Sequence, residues 1–281
     1  MRNKTRRTPF VSKFLTIDEF MVAHVKRVTF TSGMRNEFQR PNLMGKLQRK
    51  LLMLVDSEIY AVRACDKDQI ASELREFVAS ADFPCVGAKA ALRRHQLKIL
   101  VVPDIRHGGS DKLITTSLQD FAVRHDIDEK MFVSQAVVFQ NDADLSEADF
   151  ETYLWQRLTS FHAIDRRTYQ WDPSVDSDPA SPHFSLSIGG KGFFVVGLHP
   201  NAGRKARRFK HPTLVFNLHA QFEKLREEGR YETIRSRTIE RDIALQGSAN
   251  PMLARHGTES SAKQFSGRAV STDWKCPFKH G

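Results

Sequence analysis

The stretch HFSLSIGGKGFFVVGLHP, residues 183–200, constrains the fold of this chain more than any other. Two runs rich in aromatic and β-branched residues meet at Gly189-Gly190, and a Gly-Gly pair supplies the positive φ values that a two-residue hairpin turn demands. A hairpin makes neighbouring strands antiparallel. TLVFNLH, from Thr213, reads as a third strand of the same character, so a purely parallel, doubly wound sheet is excluded.

The rest of the chain supplies more strands and their cover. QLKILVVPD predicts a strand, and MFVSQAVVFQ, alternating and then continuously apolar, predicts a central one. Between them SDKLITTSLQDFAVRHD predicts a helix opened by a Ser-Asp cap. DKDQIASELREFVASADF sets Ile70, Leu74, Phe77 and Val78 at helical spacing behind Asp66 or Asp68 as cap. SEADFETYLWQRLTSFHAIDRR puts Phe150, Leu154, Leu158, Phe161 and His162 on one face of a long helix, with Ser146 and Asp149 as a capping pair. QFEKLREEGRYETIRSRTIERDIAL is helical around a break near Gly229, and WDPSVDSDPASP is a loop too short to link independent domains. Helices mixed with hairpins, without regular βαβ alternation, indicate an α+β class: one domain over residues 67–281, with a mixed or largely antiparallel sheet and packed helices.

Charge is unevenly spread along the 281 residues. Residues 1–50 hold 12 Lys and Arg against 3 Asp and Glu, a balance of +9, which leaves 31 against 30 for the remainder. The formal net charge of +10 therefore belongs to a basic N-terminal extension, residues 1–66, and not to the body. Attraction to nucleic acid would reside in that extension, and no nucleic-acid partner is expected of the body. No apolar run reaches the length of a membrane span. Three cysteines, Cys65, Cys85 and Cys276, without CxxC spacing, argue against a disulfide framework or a structural zinc site and for a reducing, cytoplasmic setting.

Cys85 follows Phe83-Pro84 and precedes a small-residue helix. A sulfur entering a helix N-terminus meets unpaired N–H groups and the positive end of the dipole, which lowers its pKa and suits a nucleophile, a redox thiol or a metal ligand. A buried structural cysteine is the alternative. GLHPNAGRKARRFKHP carries Arg204, Arg207 and Arg208, whose guanidinium forks suit carboxylates or phosphates; a solvated basic loop is the plainer reading. His199, His211 and His219 flank it as possible ligands. His162 sits on the apolar face of its helix with Asp165 a turn later to orient it, and Cys276 in WKCPF is a second candidate thiolate. No P-loop, GxGxxG, HExxH or GxSxG occurs.

FPCVGAKAAL, LWQRLTSFHAID, YQWDPSVDSDPASPHFSLSIGGKGFFVVGLHPNAGRKARRF, LVFNLHAQFEKLREEG, LQGSANPML, SGRAV and WKCPF together resemble the bacterial YqcI/YcgG family over roughly residues 69–278. Gly203, where Ser is expected, and Phe161, where Leu is usual, are modest departures. The resemblance is to haem-dependent N-hydroxylases of the guanitoxin and arginine types. It implies haem b with its iron, dioxygen with an electron donor or else peroxide, and a small amino-acid-derived substrate whose guanidino or amino group is hydroxylated in specialised metabolism.

Under that implication the iron ligand is sought first at Cys85, because thiolate ligation favours O–O cleavage. Cys276, beside a proline and with Trp274 able to pack on a macrocycle, comes next, followed by His162 or His199. Arg204, Arg207 and Arg208 become anchors for the propionates, with Lys89 and Arg93 in reserve. Asp165, Asp172, Gln246 and Asn250 are the candidate partners of a cationic substrate. A non-catalytic haem carrier or sensor would use the same pocket without turnover.

Overall fold

The computed structural model describes residues 66–125, 130–140, 144–255 and 257–280, within a compact unit formed by Arg63–Gly281. The basic extension and Cys65 fall outside the described residues. In chain order the elements are helix α1 (66–79), α2 (Val86–Arg93), strand β1 (Leu97–Val102), α3 (Asp111–Arg124), β2 (Ser134–Phe139), α4 (Glu147–Asp165), β3 (Leu186–Ile188), β4 (Lys191–Leu198), β5 (Thr213–Leu218), α5 (His219–Glu227) and α6 (Tyr231–Gln246). Among the described residues, six helices and a five-stranded mixed sheet make an α+β fold.

The sheet order is β1-β2-β5-β4-β3. β1 and β2 are parallel, joined through α3, with Ile99 opposite Ala136; every other neighbouring pair is antiparallel. MFVSQAVVFQ does form a central strand, and all six residues of β2 are buried. Such a strand needs apolar or hydrogen-bonded side chains on both faces, which is why its pattern runs together.

Side-chain alternation divides the sheet into two faces. Val137 and Phe139 of β2, Phe193 and Val195 of β4, and Leu214, Phe216 and Leu218 of β5 meet Ile114, Leu118 and Phe121 of α3 and Phe150, Leu154, Leu158 and Phe161 of α4. Each side chain in that interdigitated core contributes roughly 1.5–3 kcal/mol of burial. On the opposite face Val101, Ala136, Val138 and Leu198 pack with Ile70, Leu74 and Val78 of α1.

Local chemistry sets the ends of the helices. Ser146 caps α4, its Oγ accepting from Asp149 N at 3.1 Å. Ser110 does not cap α3: its backbone is already helical (φ −98°, ψ −1°) and its side chain makes no capping bond. A short 3₁₀ turn, Gly108–Ser110, leads into that helix instead, and Asp111 binds buried Arg157 through both carboxylate oxygens at 3.1 Å.

The hairpin turns at Gly189 (φ 62°) and Gly190 (φ 69°), as expected of a Gly-Gly pair. At Gly189 a Cβ would meet Gln119 Cα at 3.1 Å and Ala122 Cβ at 3.0 Å, so the turn lies against the backbone of α3; at Gly190 the nearest atom is Gln170 O at 3.9 Å. Gly190→Ala should therefore cost only the left-handed penalty of about 1–2 kcal/mol, whereas Gly189→Ala should cost that plus displacement of α3. Urea unfolding of the two variants measures the difference, and equal losses would contradict close packing of the turn on α3.

Candidate functional site

The second face of the sheet is only partly covered by α1. Over β2, β4 and β5 its outward residues include Ser134, Phe194, Val196 and Asn217, and these floor a cavity of about 310 Å³, in the range of small-molecule and cofactor pockets. The N-terminus of α2, the helices α5 and α6, and the segments 182–185, 253–255 and 257–264 wall it. Ser134 Oγ donates to Asn217 Oδ1 at 2.7 Å across the β2–β5 ladder, so the floor carries an internally satisfied polar pair. Phe132, Phe184, Phe194 and Phe222 supply the aromatic lining.

Cys85 lies in this wall. It is the N-cap residue of α2, with Sγ accepting from Ala88 N at 3.4 Å. The expected depressed pKa is corrected by the structure: burial pushes the Cys85 thiol up, and the N–H groups of Ala88 and Gly87 only oppose that rise. Two backbone N–H donors do not repay the loss of water around a thiolate. Burial thus keeps the group a thiol, one that lines the cavity and also packs against the core beneath α1.

α6 presents a stripe of Tyr231, Ile234, Arg235, Thr238 and Ile239 to the cavity, the i, i+3/i+4, i+7/i+8 spacing of one helix face. It is tied to α2 by Val86 N donating to Thr238 Oγ1 at 3.5 Å. Arg235 stands in the middle of the stripe and pairs with no acid among the described residues. Arg255 and Arg226 also line the cavity, as does Glu259, giving the wall an excess of positive charge.

The other candidate iron ligands lie elsewhere. Cys276 packs against the α3–α4 core, where burial pushes its thiol up to about 12. His162 contacts the C-terminal segment: its Nε2 donates to His280 O at 3.1 Å, and it borders a separate depression with Arg166, Arg167, Lys279 and His280. Asp165 does not orient it. That carboxylate accepts from Gln119 Nε2 at 2.7 Å and Gly189 N at 2.9 Å, fastening the hairpin turn between α3 and α4. His199 is buried, stacked on Phe150 with ring centroids 4.4 Å apart, and burial lowers its pKa to about 4.

The basic loop is an internal staple. Arg204 pairs with Asp242 of α6 and donates to Ser248 O at 2.9 Å. Arg207 donates to Gly197 O at 3.2 Å, Phe265 O at 3.1 Å and Gln264 O at 2.9 Å, and burial lowers its pKa to about 10. Arg208 donates to Ala202 O at 2.7 Å and Gly203 O at 3.3 Å. None of the three lines the Cys85 cavity. Lys89 donates to Ser80 O at 2.6 Å and Ala81 O at 3.1 Å, while Arg93 is exposed at the end of α2.

The four residues assigned to substrate serve the backbone. Besides Asp165, Asp172 accepts from Gly192 N at 2.7 Å and Ser174 N at 2.9 Å. Gln246 accepts from Lys205 N at 2.8 Å, and Asn250 forms a local turn through Met252 N at 3.0 Å. Of the residues singled out from sequence, the cavity takes Cys85 and His219, the latter one of the three histidines named as possible ligands. Arg235 and its stripe were missed, although an apolar helical face interrupted by one arginine was there to be read.

Among the described residues no group of three or more His, Cys, Asp or Glu side chains converges as a metal cage, and no helix is long and apolar enough to cross a membrane. Residues 74–279 match the family model described as the YqcI/YcgG family. No curated protein and no solved structure matches the chain.

Because His199 is held neutral, its stabilisation is present above the unfolded value near 6.5 and lost as pH falls toward its folded value of about 4. The loss is on the order of 3 kcal/mol across that window. His199→Gln should flatten the acid limb of stability between pH 6.5 and 4, as read by urea unfolding; an unchanged limb would assign acid sensitivity to other groups.

Proposed function

The chain belongs to the YqcI/YcgG family, and on that premise we propose that it is a haem-dependent oxygenase that N-hydroxylates a small amino-acid-derived substrate. The observation that carries the reading is Cys85: a sulfur at the positive end of α2, in the wall of an aromatic cavity that also holds Arg235, which pairs with no acid among the described residues. This donor set fits haem. A porphyrin iron needs one axial ligand from the protein, so a single thiol suffices where a bare metal ion needs several side chains.

Cys85 would ligate the iron, Arg235 and Arg255 would take the propionate carboxylates, and Phe132, Phe184, Phe194 and Phe222 would pack on the apolar ring. Bound there, haem supplies oxygen activation from dioxygen with an electron donor, or from peroxide, and a thiolate ligand favours O–O cleavage. The chain contributes the rest. Ala88 and Gly87 N–H groups would stabilise the sulfur once it is ionised, and α5 and α6 wall the site.

The test is optical. Protein loaded with haemin should show a Soret band, and its ferrous-CO spectrum should carry a thiolate-type shift that Cys85→Ser abolishes and Cys276→Ser retains. Arg235→Ala should weaken haem affinity several-fold without moving the band. A protein that stays colourless after haemin addition would overturn the reading. Haem bound with no N-hydroxy product from an amine or guanidine in single turnover would leave a carrier or sensor.

A further inference from the structure

The cavity lining also includes Ser185 and His219, which have no part in that assignment, and Glu223 pairs with His219 one turn along α5. His219 opens α5 where β5 ends. Its Nε2 lies 2.7 Å from Glu223 Oε1, one turn along the helix, and its Nδ1 lies 3.0 Å from Ser185 Oγ. A carboxylate only accepts, so Nε2 carries the ring proton, Nδ1 is left as an acceptor, and the Ser185 hydroxyl must donate to it. Ser185 and His219 both line the cavity, and Ser185 is 2% exposed. A buried hydroxyl is thus polarised by a basic nitrogen whose other side rests on a carboxylate, the arrangement that makes a general base.

We propose that Ser185, His219 and Glu223 form a proton relay that takes one proton from a primary ammonium group bound in the cavity. The proposal rests on the oxygenase reading for the choice of a nitrogen ligand and narrows it to an amine. The ligand's N–H bond breaks with its electron pair remaining on nitrogen. The proton passes to Ser185 Oγ while the Ser185 proton moves to His219 Nδ1, and the resulting imidazolium is flanked by Glu223. No electrons are exchanged. The nitrogen is left with the lone pair that oxidation at nitrogen requires.

The surroundings favour this transfer for an amine and disfavour it for a guanidine. An alkylammonium starts near a pKa of about 10.4, and a desolvated, positively charged pocket lowers such a group by up to roughly 3–5 units. A guanidinium keeps its proton, with a pKa above about 12. The charges about His219 are Glu223 and Arg226 on its own helix, Asp172 from the loop after α4, and, on the cavity wall, His183, Arg235, Arg255 and Glu259. Burial lowers the His219 pKa, while Glu223 and Asp172 act against that, so the ring is neutral before a ligand arrives and its cation is supported afterwards. With both ring nitrogens engaged by Ser185 and Glu223, His219 serves as a base and not as an iron ligand.

Histidine ¹⁵N spectra of the full chain without haem, at pH 7.5, test this with n-butylamine and n-butylguanidine as probes. Alone, His219 should show the neutral Nε2–H tautomer. Saturation with butylamine should move Nδ1 to the position of a protonated ring nitrogen, and butylguanidine should not. Ser185→Ala should abolish the change and Ser185→Thr, which keeps the hydroxyl, should restore it. An unmoved His219 resonance with butylamine overturns the relay even if haem binds normally. Loss of the Soret band in His219→Gln overturns it too, by making that side chain an iron ligand. An amine-dependent imidazolium in a chain that takes no haem supports the relay and overturns the oxygenase reading alone.

Discussion

A sheet buried on both faces must be covered twice, and everything about this protein follows from how unequally that is done. α3 and α4 lay a continuous aromatic and aliphatic layer on one face, with Phe150 so close to β4 that Gly197 has no room for a side chain. The other face receives α1 near β1 and is then left open over Ser134, Phe194, Val196 and Asn217. The cavity is that uncovered region, roofed by helices that stand off the sheet. Its floor is rigid because each floor residue belongs to a strand whose other neighbours are locked in the opposite core.

Where the roof meets the edge of that opening, a short helix points its N-terminus inward and places a sulfur there. Burial and dipole then compete. Water loss raises the thiol pKa and backbone N–H groups work against the rise, so the sulfur rests protonated. The same opening is lined by Arg235 and Arg255 and by Ser185 and His219, the latter paired with Glu223. A sulfur, cationic groups and a hydrogen-bonded histidine therefore share one cavity lining, the combination that the proposed oxidation at nitrogen would use.

The secondary structure was largely legible. Hairpin, central strand, capped α4 and the break between α5 and α6 each rest on a local rule: two glycines with positive φ, two-sided burial, a serine oxygen bonded three residues ahead, and Gly229 at φ 67°. The site was legible only at Cys85 and His219. Arg204, Arg207 and Arg208 look like ligand binders because a guanidinium fork has the same shape whether it meets a carboxylate or a row of carbonyls. Here it meets Ser248, Gly197, Gln264 and Phe265 from segments distant in the chain. Asp165 was paired with His162 by helical spacing, yet its carboxylate turns to a glycine N–H 24 residues on.

Local residue order by itself determined which segments become helices and strands, that the sheet contains antiparallel pairs, and that one cysteine stands at a helix entrance, since those outcomes depend on neighbours within a few positions. Only the tertiary structure decided which polar side chains face the cavity and which are spent holding loops to strands. Ser185 meets His219 across 34 residues and Cys85 shares a wall with Arg235 across 150. Whether such groups are brought together is set by how helices stack on the sheet, a property of the whole packed chain that no short window contains.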